Sequence, residues 1–156
     1  MKSMSKDEIM RKEIIQHIED SINLKVKVKD EYVDLIKEVS KDIIRAYKNG
    51  KKVIWFGNGG SAADSQHIAA EFIDRFNFDR RPLPAIALTT DTSIITSIGN
   101  DSGFSYVFQK QIEALGVKDD VALAITTSDI SFKQNAHSSN IAFALKAAKK
   151  KEMKTI

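Results

Sequence analysis

Asp64, His67, Glu71 and Arg75 recur at intervals of three or four residues, so on a helix they share one face. Within that stripe His67 and Glu71 stand at i and i+4, about 6 Å apart at Cβ. That spacing suits a shared metal ion or a shared substrate, although a solvated face with ordinary i,i+4 pairs looks the same. The turn one step upstream separates the two readings. Gly57, Asn58, Gly59, Gly60 and Ser61 place glycines where a bulky anion needs close approach to backbone N–H groups. Ionisable groups next to such a turn sit where chemistry can use them. The 156 residues contain no cysteine, which removes thiolate chemistry and leaves His, carboxylate and amide oxygen as metal donors.

The neighbouring residues supply the elements that would hold this turn. Val53 to Phe56 is a short apolar run without alternation, as a strand buried on both faces requires. An Ala-rich segment of helical period follows the glycines, with Ser61 expected as its cap. A strand, a glycine turn and a helix in that order present free N–H groups and a positive helix end to an anion. Further parallel strands are expected at 84–89 and 121–126, with Thr126, Thr127 and Ser128 closing the latter at the edge where open α/β sheets bind ligands. Helices are expected over 7–23, 30–48 and 105–115, with a short one holding Ile94, Ile95 and Ile98 and a turn at Gly99, Asn100 and Asp101. The two prolines at 82 and 84 mark a loop before the second strand.

Composition bounds the class. Hydrophobic content of 42%, charged content of 29% and a net charge of +3 describe one ordinary globular domain over 1–156. Residues 1–50 form its N-terminal helices and 51–156 its α/β core. The charge excess collects near Lys146, Lys149, Lys150, Lys151 and Lys154, at the end of an expected helix, and lacks interleaved aromatics, so no nucleic-acid partner is expected. No stretch approaches a membrane span, no secretory signal opens the chain, and a cytoplasmic location is expected. Dinucleotide binding is the rival use of the glycine turn, through Gly57, Gly59 and Ala62. It lacks a well-placed acidic residue after the next strand: Asp79 falls in the proline loop and Asp91 comes late. His17 and His137 read as surface residues.

With these residues in view, the sequence is similar to the phosphoheptose isomerases, a sugar-isomerase (SIS) domain family. The likeness rests on Gly57 to Asp64, Gln66 to Glu71, Leu83 to Thr92 and Gly99 to Phe104, and is dense from Lys51 to Ser128. It implies a flavodoxin-like three-layer sandwich around a parallel sheet, and conversion of sedoheptulose 7-phosphate to a glycero-manno-heptose 7-phosphate. It implies Glu71 as the base and a zinc ion on His67 and Glu71. Asn58, Gly59, Gly60, Ser61, Thr126, Thr127 and Ser128 would hold phosphate and sugar, while Arg75, Asn100 and Asp101 would orient the substrate.

It also implies a homo-oligomer, a tetramer, with the isoleucine stripe of residues 9 to 22 in its interface. Beyond Ser128 the sequence departs from the family, with Asp129 in place of a glycine and extra residues before the next helix. Either Ser131 or Ser138 can fill the last phosphate-contacting position, and Ser138 is favoured because Asn140 to Leu145 continues as the relatives' helix does. Met153 to Ile156 reads as the opening of a fourth strand, where the sequence stops. The glutamine and histidine of the family's last helix have no counterpart, so low activity is expected of the chain as written. A non-catalytic sugar-phosphate-binding or replication-initiator-binding relative on the same fold is the alternative.

Overall fold

The computed structural model describes residues 5–156. The chain divides into two compact units, one ending at Ser40 and one spanning Lys41–Ile156. The first holds the helix α1 (Lys6–Glu31) and the opening turns of α2 (Val33–Lys48). A reciprocal capping box starts α1: Glu8 N–H donates to Ser5 Oγ (3.2 Å) and Ser5 N–H donates to Glu8 Oε2 (2.7 Å). Hydrogen bonding from Ser5, its backbone N–H first and its side chain second, holds the Glu8 carboxyl below its ordinary range. The helix runs eight residues past the expected end at 23. Leu24, Val26 and Val28 alternate instead of keeping a helical period, which masks their helicity in the sequence. No residue of α1 is buried, and Ile9, Ile14, Ile18 and Ile22 are all exposed.

The second unit is built on a four-stranded, wholly parallel sheet: β1 (Val53–Gly57), β2 (Ala85–Ala87), β3 (Val121–Ile125) and β4 (Lys154–Thr155) in the order β2-β1-β3-β4. All five residues of β1 are buried, as its unbroken apolar run requires. Alternate side chains feed two cores. Ile54, Phe56 and Ala122 pack with Val107, Phe108 and Ile112 of α5 (Val107–Leu115) and with Ile141, Ala144 and Ala148 of α6 (Ser139–Lys150). Val53, Trp55 and Val121 pack with Ala46 and Tyr47 of α2, and with Ala69 and the partly buried Phe72 of α3 (Gly60–Ile73). Helices thus cover both faces, which is the three-layer arrangement expected. Each large apolar side chain buried in these layers is worth roughly 1.5–3 kcal/mol.

Two expectations are corrected. Gly99, Asn100 and Asp101 do not form a turn; they complete the last turn of α4 (Thr92–Asp101), whose N-cap Asp91 accepts from Ile94 N–H at 2.9 Å. The helix expected from 105 begins as a 3₁₀ turn at Phe104–Tyr106 before α5 takes over. The brief fourth strand is present, with Val121 opposite Lys154 and Ala122 opposite Thr155.

Candidate functional site

The strand order reverses between β1 and β3. From β1 the chain goes outward through α3 to β2, and from β3 it goes the other way through α6 to β4. In doubly wound sheets the crevice at such a switch point, outside the carboxyl ends of the strands, is where ligands bind. Here that crevice receives Asn58, Gly59 and Gly60 from the end of β1. The register pair Gly57–Ile125 sets Thr126 beside Asn58.

Two glycines have physical reasons. A Cβ on Gly57 would come within 2.7 Å of Ile125 O and 2.8 Å of Ser61 Cβ, so only glycine lets α3 start this close to the β1–β3 pair. Gly59 takes φ +55° as the N-cap of α3, a region side chains rarely adopt. The expected cap, Ser61, does not cap: it is the second residue of the helix, buried, and its N–H donates to Asn58 O at 3.0 Å. No side chain caps this helix end. An uncapped N-terminus facing a crevice keeps its partial positive charge available to an anion.

The β3 side is shaped by its own bonds. Thr126 Oγ1 donates to Ser128 O (3.0 Å) and accepts from Ser128 N–H (3.1 Å), closing a small loop. The segment that follows is anchored from α5's side. Ser105 Oγ accepts from Asn135 N–H (3.1 Å), lies 3.3 Å from Asn135 Oδ1, and meets Ser139 Oγ at 2.9 Å. Ser138, the N-cap of α6, is buried and left-handed at φ 56°, without a side-chain capping bond. Ser131 lies out in the loop, where its Oγ accepts from Lys133 N–H at 3.3 Å. Asp129 and His137 are exposed.

Along α3, His67 Nε2 stands 3.3 Å from Glu71 Oε1. At 1.5 Å per residue these side chains originate about 10 Å and about 16 Å from Gly60, and helical side chains lean back towards the N-terminus. Arg75 is not on the same stripe. The helix ends at Ile73, and Arg75 pairs with Asp79 across an exposed loop at 2.6 Å. Asn100 and Asp101 bond to each other (2.8 Å) at the far end of α4, a helix length of about 15 Å from Asp91.

Two residues were not singled out for the site from sequence. Arg80 donates to the carbonyls of Glu71 (2.5 Å) and Phe72 (2.9 Å), holding the C-terminal turn that carries Glu71. Asn140 exchanges hydrogen bonds with Asn58, 3.0 Å one way and 2.8 Å the other. Neither has a local sequence signal, because each contact depends on the tertiary path of the chain. Glu71, Phe72, Phe76, Asn77, Phe78, Arg80 and Leu83 line a cavity of about 310 Å³. A larger groove of about 750 Å³ follows the β4 edge instead and touches none of the candidate residues except through the neighbouring loop.

The family resemblance implies zinc on His67 and Glu71. The two donors converge, but among the described residues no three His, Cys, Asp or Glu side chains gather to hold a metal. A catalytic zinc takes three protein ligands, so the pair alone does not form such a site and no step below runs through one.

The comparisons with known proteins agree with this fold. The family model described as SIS domain matches residues 16–156. Phosphoheptose isomerase 2 of Campylobacter jejuni is 51% identical over 142 residues, covering 90% of this chain and 67% of that protein. The phosphoheptose isomerase of Clostridium acetobutylicum is 48% identical over 149 residues, covering 94% and 72%. Among solved structures, the phosphoheptose isomerase of Francisella tularensis superposes with a TM-score of 0.85 at 39% identity, covering 94% of this chain and 73% of that one. That of Neisseria gonorrhoeae gives 0.82 at 38% identity, covering 94% and 72%. The chain belongs to the phosphoheptose isomerase family of SIS-domain proteins, and it spans about two thirds to three quarters of the length of these relatives.

Proposed function

We propose that the chain is an isomerase that interconverts sedoheptulose 7-phosphate and D-glycero-D-manno-heptose 7-phosphate. The observation that carries the reading is the glycine turn at the β1/β3 switch point, with Glu71 about three helical turns further along the helix that the turn opens. Phosphate would sit against Asn58, Gly59, Gly60 and Ser61, with Thr126, Thr127, Ser128 and Ser138 on the other wall. A short sugar anchored there would fall short of Glu71; an extended seven-carbon chain carries its carbonyl end along α3 towards it. In this reading the Glu71 carboxylate removes a proton from C1, the C1–H electrons form the enediol, and the proton returns to C2 as the O1 proton passes to O2. Proton transfer by a positioned group is typically worth about 10²–10⁴-fold, so Glu71→Gln should lose at least that much.

Arg75, Asn100 and Asp101 belong to the reading as substrate-orienting groups if the flexible substrate end or a second subunit brings them near. Zinc on His67 and Glu71 enters only with further donors from outside this pair. A homo-tetramer joined through the exposed isoleucine face of α1 completes the proposal, along with a cytoplasmic location. No helix of the described residues is long and apolar enough to cross a membrane. Light scattering at micromolar protein should report an oligomer, and a monomer would remove that part.

The test of the activity is incubation with sedoheptulose 7-phosphate in deuterated water. Deuterium should appear at the carbon adjacent to the carbonyl with the unsubstituted chain and not with Glu71→Gln. Equal exchange by both forms would sink the assignment of the base, and exchange by neither would sink the activity. The non-catalytic alternative predicts phosphate-ester binding without exchange.

A further inference from the structure

We propose that Asn140 is a positioning residue for the anion site: its amide pair with Asn58 sets the width of the crevice and the orientation of the glycine turn. The inference rests on the phosphate reading above. Asn58 precedes two consecutive glycines, the residues with the greatest backbone freedom, so the N–H groups that would face an anion need an external tether. The Asn58 side chain supplies it. Asn140 is 3% exposed and sits in the first turn of α6, on the opposite face of the sheet from α3.

The bonding is reciprocal and almost saturates the Asn140 amide. Its Oδ1 accepts from Asn58 Nδ2 (3.0 Å) and from Ile141 N–H (3.0 Å), and its Nδ2 donates to Asn58 Oδ1 (2.8 Å). The pair therefore spans the switch point and holds the first turns of α3 and α6 at a fixed separation. Asn58 is 82 residues from Asn140 in sequence, and no packing of apolar groups would fix the amide plane as two opposed hydrogen bonds do. Ser138 precedes Asn140 by two residues, so the same link fixes where that hydroxyl stands relative to the turn.

The experiment uses inorganic phosphate as the probe, measured by calorimetry on the folded chain. Asn140→Ala should weaken phosphate binding about five- to tenfold, the effect of one to two net hydrogen bonds. Asn140→Ser, whose hydroxyl can still serve its own helix turn but cannot reach Asn58, should do the same. Because the pair acts as a unit, Asn58→Ala with Asn140→Ala should bind no more weakly than Asn58→Ala alone. A merely structural role would lower the melting temperature and leave the dissociation constant of the folded fraction where it was, which would overturn the proposal. Fully additive losses would do so as well.

If either variant fails to fold, a phosphate titration of the unsubstituted chain decides by nuclear magnetic resonance. The side-chain amide signals of Asn58 and Asn140 should move together, and movement of neither would overturn the proposal. Phosphate binding lost in Gly59→Val but intact in both Asn140 variants would remove this inference alone. No phosphate binding by the unsubstituted chain would remove the parent reading with it.

Discussion

The two ends of the β1–β3 strand pair handle polar groups in opposite ways. At the amino end Asp120, fully buried, accepts from Lys52 N–H (3.1 Å), the Lys52 ammonium (2.6 Å) and Val117 N–H (2.9 Å). That is a closed network in which a buried charge has an opposite charge and two backbone donors. At the carboxyl end stand neutral amides and hydroxyls beside a helix N-terminus that no side chain caps. One end is complete within the chain; the other would be completed by a negatively charged visitor. In the proposed reading the same pair of strands is a structural tie at one edge and a receptor at the other, and substitutions should separate the two roles.

The largest effect is expected at the closed end. Asp120→Ala leaves the Lys52 ammonium, only 21% exposed, and two N–H groups without their acceptor. Removing one partner of a buried pair costs about 3–5 kcal/mol. The urea midpoint should drop accordingly, while the folded fraction keeps its phosphate affinity; loss of affinity in step with stability would break the comparison. At the open end the order reverses. A Cβ at Gly59 would meet no atom within 4 Å, but Gly59→Val must hold a positive-φ backbone, a strain of about 1–3 kcal/mol. The phosphate affinity of its folded fraction should fall at least tenfold by calorimetry, and undiminished binding would move the receptor elsewhere.

The smallest effect tests the flank of the closed end. The Asp42 carboxyl lies 2.8 Å from Lys154 Nζ, and that bond, aided by Lys154 and Arg45 charge, holds its pKa below the ordinary carboxylate value against burial. A depressed carboxylate stabilises the fold above its unfolded pKa of about 4 and loses that contribution as pH falls through the folded value. With Lys154 half exposed, the difference between the parent and Asp42→Asn should stay within about 1 kcal/mol. It should vanish in urea titrations taken well below pH 4, and a gap that widens with acid would reverse the assignment.

Much of this architecture was readable because its physics is local. β1 is an uninterrupted apolar run, the turn after it is glycine-rich, and Ala69 and Phe72 keep the period of a helix with one buried face, so strand, turn and helix follow directly. The readings that failed each depended on something further away. Ser61 looked like a cap, but the cap falls two residues earlier, at Gly59, where Gly57 lets the helix approach the strand pair closely. Gly99 to Asp101 carried turn residues, yet Ile95 and Ile98 pack on the core and draw the helix past them. Arg75 kept the spacing of His67 and Glu71 while the helix stopped two residues before it, at the turn that Arg80 holds from the far side of the loop. Lys52–Asp120 and Asn58–Asn140 link residues 68 and 82 positions apart, and no periodicity records such pairs.

Ser138 has a consequence for anyone engineering this chain. Its left-handed backbone suits glycine or asparagine, so a search for higher melting temperature would favour replacing it. Ser138→Gly should gain a few tenths to about 1 kcal/mol, visible as a higher urea midpoint. The exchange would also delete a buried hydroxyl at the mouth of α6, the one the proposed phosphate site would use, so in that reading the hardier variant would be the poorer receptor. If Ser138 contacts phosphate as proposed, selection for thermal hardiness and selection for ligand capture would pull this one position in opposite directions.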